Sequence, residues 1–231
     1  MTVRGELLDW SGCANARDVG GLPTGDGRVM ASGVLLRTDS LDQLDAGGLQ
    51  TVRGLHPGLV LDLRSDFETA AADHPLGDDP AYRIIPFVDP ARDIERVAET
   101  EHTLADRYLG SVERNGSQVA AIMRAIAEAP DGPVIVHCAS GKDRTGLLIA
   151  LLLDLVGVPG DVICDDYSRS EELLDLTDHE HPLNRTSPRT MAKTLEHLHH
   201  RWGGAAGYLE AHGVNAAVLD RVRDRLLDRR P

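Results

Sequence analysis

Cys138 and Arg144 stand six positions apart in the run HCASGKDRTG (137–146), directly after the apolar segment PVIV (133–136). A thiolate is a strong nucleophile, and an arginine at this distance offers a planar fork for two oxygens of a phosphate. Ala139, Ser140 and Gly141 are small enough for consecutive backbone N–H groups to turn inward and form a nest for an anion. A helix beginning near Arg144 adds free N–H donors and the positive end of its dipole, which favour a phosphate or a thiolate. His137, Gly141 and Thr145 accompany the pair in a strand–loop–helix setting, which fits phosphate chemistry at sulfur better than an inert buried thiol. A Walker-type nucleotide loop does not fit. It needs glycine where Val136 stands and serine or threonine where Asp143 stands.

Such a loop has to be held by a strand on one side and a helix on the other. VLLRT (34–38), LVLDLRS (59–65), YRIIPFV (82–88) and PVIVH (133–137) read as strands, the third with Pro86 near its end. Residues 46–55, 144–157, 161–176 and 214–229 read as helices, the second closed by Gly157 and Pro159. From Pro90 to Ala129 the pattern is helical, with a break at RNGS (114–117). The alternation predicts one α/β domain over 1–231, with a central mixed, mostly parallel sheet flanked by helices. Residues 177–204 are polar, His-rich and interrupted by proline before they turn helical. They are expected to form a lid or insertion, or else a plain surface helix with its loop.

The formal net charge is −13, from 24 basic and 37 acidic residues, which sets the surface against nucleic acid and anionic membranes. The longest apolar stretch, GLLIALLLDLVGV (146–158), is interrupted by Asp154 and is too short to span a bilayer. The N-terminus lacks the apolar core of a secretory signal, so a cytoplasmic protein is expected. Cys13, Cys138 and Cys164 are widely spaced with no CxxC pair, against both a disulfide framework and a zinc site. His179, His181, His197, His199 and His200 have no acidic or thiol partner at ligand spacing, so solvated histidines are expected and no metal or cofactor.

The run HCASGKDRTG resembles the signature loop of the cysteine-dependent protein tyrosine phosphatase superfamily: His-Cys, five residues, then Arg-Thr. Its Lys-Asp pair resembles the bacterial tyrosine/serine phosphatases of the protein tyrosine phosphatase B type. NARDVGG (15–21), LRTDSL (36–41) and LDLRSDFE (61–68) are similar to further motifs of that family, and the likeness runs over about 11–175. It implies a phosphatase fold with a helical C-terminal or lid region. It also implies hydrolysis of phosphotyrosine, with phosphoserine, phosphothreonine or a phosphoinositide as further substrates.

By this resemblance Cys138 attacks phosphorus to form a phosphocysteine, which water then hydrolyses. Arg144 and the N–H groups of Ala139, Ser140, Gly141, Lys142 and Asp143 bind the phosphate. Thr145 hydrogen-bonds the thiolate, and His137 orients the loop from beneath. The Trp-Pro-Asp tripeptide that carries the general acid in much of the superfamily is missing. Asp89, in PFVDP (86–90), is the first candidate for that role and Asp143 the alternative. Lys142, one of only two lysines, resembles a residue of phosphoinositide phosphatase loops. Asn15, Arg17 and Asp18 are expected to support the loop, Asp62 and Arg64 to form a buried ion pair, and Cys13 to be a free thiol rather than a partner of Cys138. The rival reading is a pseudophosphatase that binds phosphorylated partners without turnover. A rhodanese-like sulfur transferase fits less well, because its loop usually has one residue fewer before the arginine.

Overall fold

The computed structural model describes residues 5–69, 74–96, 100–175 and 187–228. Five strands form one sheet: β1 (Arg17–Asp18), β2 (Leu35–Thr38), β3 (Leu59–Asp62), β4 (Tyr82–Ile84) and β5 (Val134–His137). The order is β1-β2-β5-β3-β4, parallel throughout except for the antiparallel edge pair β1–β2. The central strands β2, β5 and β3 are buried at every residue, as nearly continuous Leu/Val/Ile runs covered on both faces should be. Their last residues are in register, His137 lying between Thr38 and Asp62. The loop 138–142 therefore leaves the sheet at the carboxyl end of its middle strand, where open α/β sheets place their ligands.

The helices are α1 (Ala46–Gly54), α2 (Asp66–Thr69), α3 (Pro90–Asp93), α4 (Leu104–Arg114), α5 (Gly116–Glu128), α6 (Asp143–Leu155), α7 (Gly160–Leu173), α8 (Pro188–Trp202), α9 (Ala205–Ala211) and α10 (Ala216–Leu226). Almost every residue of α6 from Thr145 to Leu155 is buried, so the helix that follows the loop runs through the core. That is why 146–158 is so apolar, and no described helix is long and apolar enough to cross a membrane. A reciprocal capping box of Thr103 and Asp106 starts α4. The expected break at 114–117 falls on Asn115, which ends α4 and begins α5.

Two stretches take a form that the sequence leaves open. Arg17 and Asp18, in NARDVGG, form the edge strand β1, although DVGGLPTGDG (18–27) is otherwise rich in turn residues. Of 177–204, residues 177–186, with His179 and His181, lie outside the described residues. The remainder contains α8, which buries Met191, Leu195 and Leu198 and packs on α4 and α7. This part is a wall of the fold, because its apolar positions repeat at helical spacing beneath the histidines. His197 and His199 face single carboxylates, Glu113 at 2.9 Å and Asp154 at 2.6 Å.

Candidate active site

Loop 138–142 is shaped by what its carbonyls touch. The Ala139 carbonyl accepts from the Ser40 N–H at 2.9 Å, Ser140 from Asn15 Nδ2 at 3.0 Å, and Gly141 from Arg37 Nη2 at 2.7 Å. In a trans peptide the N–H points opposite to the C=O. Tying three successive carbonyls to the framework therefore turns the N–H groups of Ser140, Gly141 and Lys142 to the other face. Gly141 has φ +66°, and a Cβ there would lie 2.3 Å from the Thr38 carbonyl oxygen. Only glycine meets both demands.

Beneath the loop lies a buried polar cluster. Arg17 donates through Nε to Asp166 Oδ1 at 2.8 Å, and Arg37 donates through Nη1 to Asp166 Oδ2 at 2.6 Å. Both guanidiniums are fully buried and Asp166 is nearly so. Arg17 also donates to the Asn15 side-chain oxygen at 2.5 Å and to Ser170 Oγ at 3.2 Å. Burial pushes the Asp166 carboxyl up, but the two arginines outweigh it and hold the group near 2. Burial and the like charge of Arg37 lower Arg17 to about 10. Asn15 is itself placed by Asp39, which accepts from its backbone N–H at 3.0 Å.

Asp18 is not part of this cluster. Its carboxylate accepts from the N–H groups of Gly20 at 2.8 Å and Gly33 at 2.6 Å, where it fixes the β1–β2 connection.

On the opposite flank Arg144 is gripped by a residue that the sequence reading left without a role. Glu68, on α2, accepts from Arg144 Nη1 at 2.6 Å and Nη2 at 2.8 Å. The hydrogen bonds from Arg144 pull the Glu68 carboxyl down to about 2. This end-on pair leaves Nε–H and the outer Nη hydrogens of the guanidinium for another oxyanion. Cys138 is 1% exposed, one layer beneath this rim. Thr145 is fully buried, and its hydroxyl has no hydrogen-bond partner among the described residues.

The two candidate acids differ in setting. Asp89 is the N-cap of α3: its carboxylate accepts from the Ala91 N–H at 2.9 Å, and its own N–H donates to Asn115 Oδ1 at 2.8 Å. Asp143 opens α6 beside Arg144 and is partly exposed, with Oδ1 accepting from the Tyr108 hydroxyl at 2.5 Å. Tyr108 also shares a hydrogen bond of 2.9 Å with the Tyr167 hydroxyl. Asp143, Arg144 and the mostly buried Lys142 line a cavity of about 700 Å³ between α2 and α4, whereas Asp89 does not line it.

His137 is buried against His74, the ring centroids 5.5 Å apart, and burial lowers it to about 4, so it is neutral near pH 7. Its Nε2 lies 3.8 Å from Asp62 Oδ2. Asp62 and Arg64 form the expected ion pair at 2.8 Å, which Asp42 extends. Asp62, His74 and His137 hold possible ligand atoms within 4.8 Å of one another. However, Asp62 already accepts from the Arg64 guanidinium and the Tyr82 hydroxyl, and a cation beside Arg64 would be repelled. All three cysteines are free thiols, and burial pushes that of Cys13 up to about 11.

A sequence profile of the tyrosine phosphatase family matches residues 8–228. The tyrosine-protein phosphatase of Nostoc commune is 29% identical over 215 residues, covering 83% of this chain and 73% of that protein. The triple specificity protein phosphatase PtpB of Mycobacterium tuberculosis is 27% identical over 272 aligned positions, covering 94% and 97% of the two chains.

Proposed function

The chain belongs to the tyrosine phosphatase family and is a protein phosphatase, and from this premise we propose that it works through a phosphocysteine formed on Cys138. The observation that supports this reading is the loop itself, whose carbonyls are tied to the framework so that its N–H groups face the other way, free to join Arg144 in binding a phosphate. Cys138 Sγ attacks phosphorus, the bond to the leaving oxygen breaks, and a proton passes to that oxygen. Water then attacks the phosphocysteine, releasing inorganic phosphate and restoring the thiolate. Arg144, oriented by Glu68, and the loop N–H groups hold the three equatorial oxygens through both steps. The Thr145 hydroxyl, without a partner among the described residues, is available to hydrogen-bond the departing thiolate.

Asp143 is the acid that this geometry favours over Asp89. It stands beside Arg144, and the Tyr108 hydrogen bond fixes one carboxylate oxygen while the other is left to carry the proton. Asp89, by contrast, is engaged in capping α3. Asp143→Asn is expected to lower turnover of phosphopeptides by roughly 10²-fold or more and to flatten the alkaline limb of the pH–rate profile. Asp89→Asn should leave that limb in place. The reverse pattern in a pH series of kcat would reassign the acid.

Phosphotyrosine is the leading substrate. Phosphoserine and phosphothreonine follow from the open cavity and the triple specificity named for the mycobacterial relative. Lys142, buried beside Asp143, would face a further phosphate of a phosphoinositide. The test is phosphate release from these substrates with a chelator present, followed by acid quench and mass analysis of the protein. A phosphorylated peptide containing Cys138 is expected. Chelator-sensitive turnover without that adduct would sink the mechanism.

A further inference from the structure

α4 presents one face to the cavity, with Leu104, Arg107, Tyr108, Ser111 and Arg114 at helical spacing. The polar groups on this face are not alike. Tyr108 is engaged with Asp143, and Arg114 is neutralised by the mostly buried Glu101 at 2.9 Å, which also holds Arg96 at 2.6 Å. Arg107 has no carboxylate partner among the described residues, and its Nε is buried without a hydrogen-bond partner. A half-buried guanidinium facing a cavity with no anion on it is costly to keep, and an incoming acidic group would satisfy it. At about 700 Å³ the cavity holds more than one phosphorylated side chain, so residues flanking the scissile phosphate enter it as well.

We propose that Arg107 forms a second anion subsite, which reads an Asp or Glu side chain flanking the phosphorylated residue of a peptide substrate. The inference rests on the phosphatase reading of the same cavity. A carboxylate matches the planar fork of arginine in a bidentate pair. The apolar lining from Leu63, Val88, Leu104 and Leu147 suits a peptide. The formal charge of −13 sets the molecule as a whole against an anionic lipid surface.

The experiment compares kcat/KM for phosphotyrosine peptides in which one Glu is moved from three residues before to three residues after the phosphoresidue, each matched with a Gln control. Wild type is expected to favour Glu at one or two positions by about tenfold, the scale of one charge-assisted hydrogen bond. Arg107→Ala should erase that ratio, Arg107→Lys should retain part of it, and Arg107→Glu should favour Lys at the same position. Equal kcat/KM for Glu and Gln peptides in wild type, or an unchanged ratio in Arg107→Ala, overturns the proposal. So does competition by a soluble inositol phosphate with adjacent phosphates that exceeds competition by the Glu peptide and depends on Arg107. Peptide affinities of the Cys138→Ser protein, read by fluorescence anisotropy, give the same ratios without turnover. A chain that is inactive but shows the Glu preference would refute the phosphatase mechanism and keep the subsite.

Discussion

Cys138→Ser is expected to suppress phosphate release by on the order of 10⁴-fold or more while the folded protein still binds a phosphotyrosine peptide. The substitution is nearly isosteric at a position that is 1% exposed, so the packing around the loop should survive it. The loop N–H groups and the Arg144–Glu68 pair do not depend on sulfur. What disappears is the proposed nucleophile, because a serine hydroxyl is a far weaker acid than a thiol and stays protonated. Steady-state kinetics with a phosphotyrosine peptide, paired with calorimetric binding of the same peptide to the variant, separates the two properties. A variant that keeps a tenth of wild-type turnover would show that Cys138 is not the attacking group. Loss of peptide binding as well would place the damage in the cradle instead.

The second large effect concerns stability. Asp166→Ala removes the one carboxylate that Arg17 and Arg37 share, leaving two guanidiniums fully buried without a counter-charge. Breaking a buried pair from one side typically costs about 3–5 kcal/mol. That is a large part of the roughly 5–15 kcal/mol that separates most folded domains from unfolded chains. Urea unfolding should show a much lower midpoint, and a shift under about 1 kcal/mol would mean that water replaces the lost partner. The same group makes wild-type stability pH-dependent. The Asp166 carboxyl is held near 2, below its ordinary 3.8, so its contribution is complete above that ordinary value and is lost as pH falls toward 2. Asp62 and Glu68, also held near 2, titrate out in the same acid window.

Strands β2 to β5 and the core helix α6 were legible in the sequence because apolar runs of the right length leave few alternatives, whereas the two-residue edge strand β1 carries no such run. The signature loop was legible because Cys138, Gly141 and Arg144 are each demanded by a distinct physical constraint. The buried cluster was only half visible. Arg37 stands out as a charge inside the apolar strand VLLRT, and Glu68 closes a motif already noticed, so both carried a signal. Asp166 and Ser170 did not, since an acidic residue on a helix of mixed polarity looks like a solvated one until the sheet is laid against it. Arg107 and Tyr108 sit three and four residues into α4, and nothing local tells which face meets the cavity. Asp89 had the sequence context of an acid next to a proline, and that context equally describes an N-cap. Here the side chain caps α3.

The ties on the loop carbonyls and in the cluster beneath them reach far along the chain: Asn15 to Ser140 spans 125 residues, Arg37 to Gly141 spans 104, and Arg17 to Asp166 spans 149. Contacts of such separation form late, after the chain has closed its long loops. Emergence of the loop during synthesis is therefore not emergence of the enzyme. Until α7 docks and brings Asp166 between the two arginines, the carbonyls of Ser140 and Gly141 are not anchored and the N–H groups do not converge. Hydrolytic competence should consequently arrive in one step near the end of folding, which spares a partly made chain from acting as an indiscriminate nucleophile.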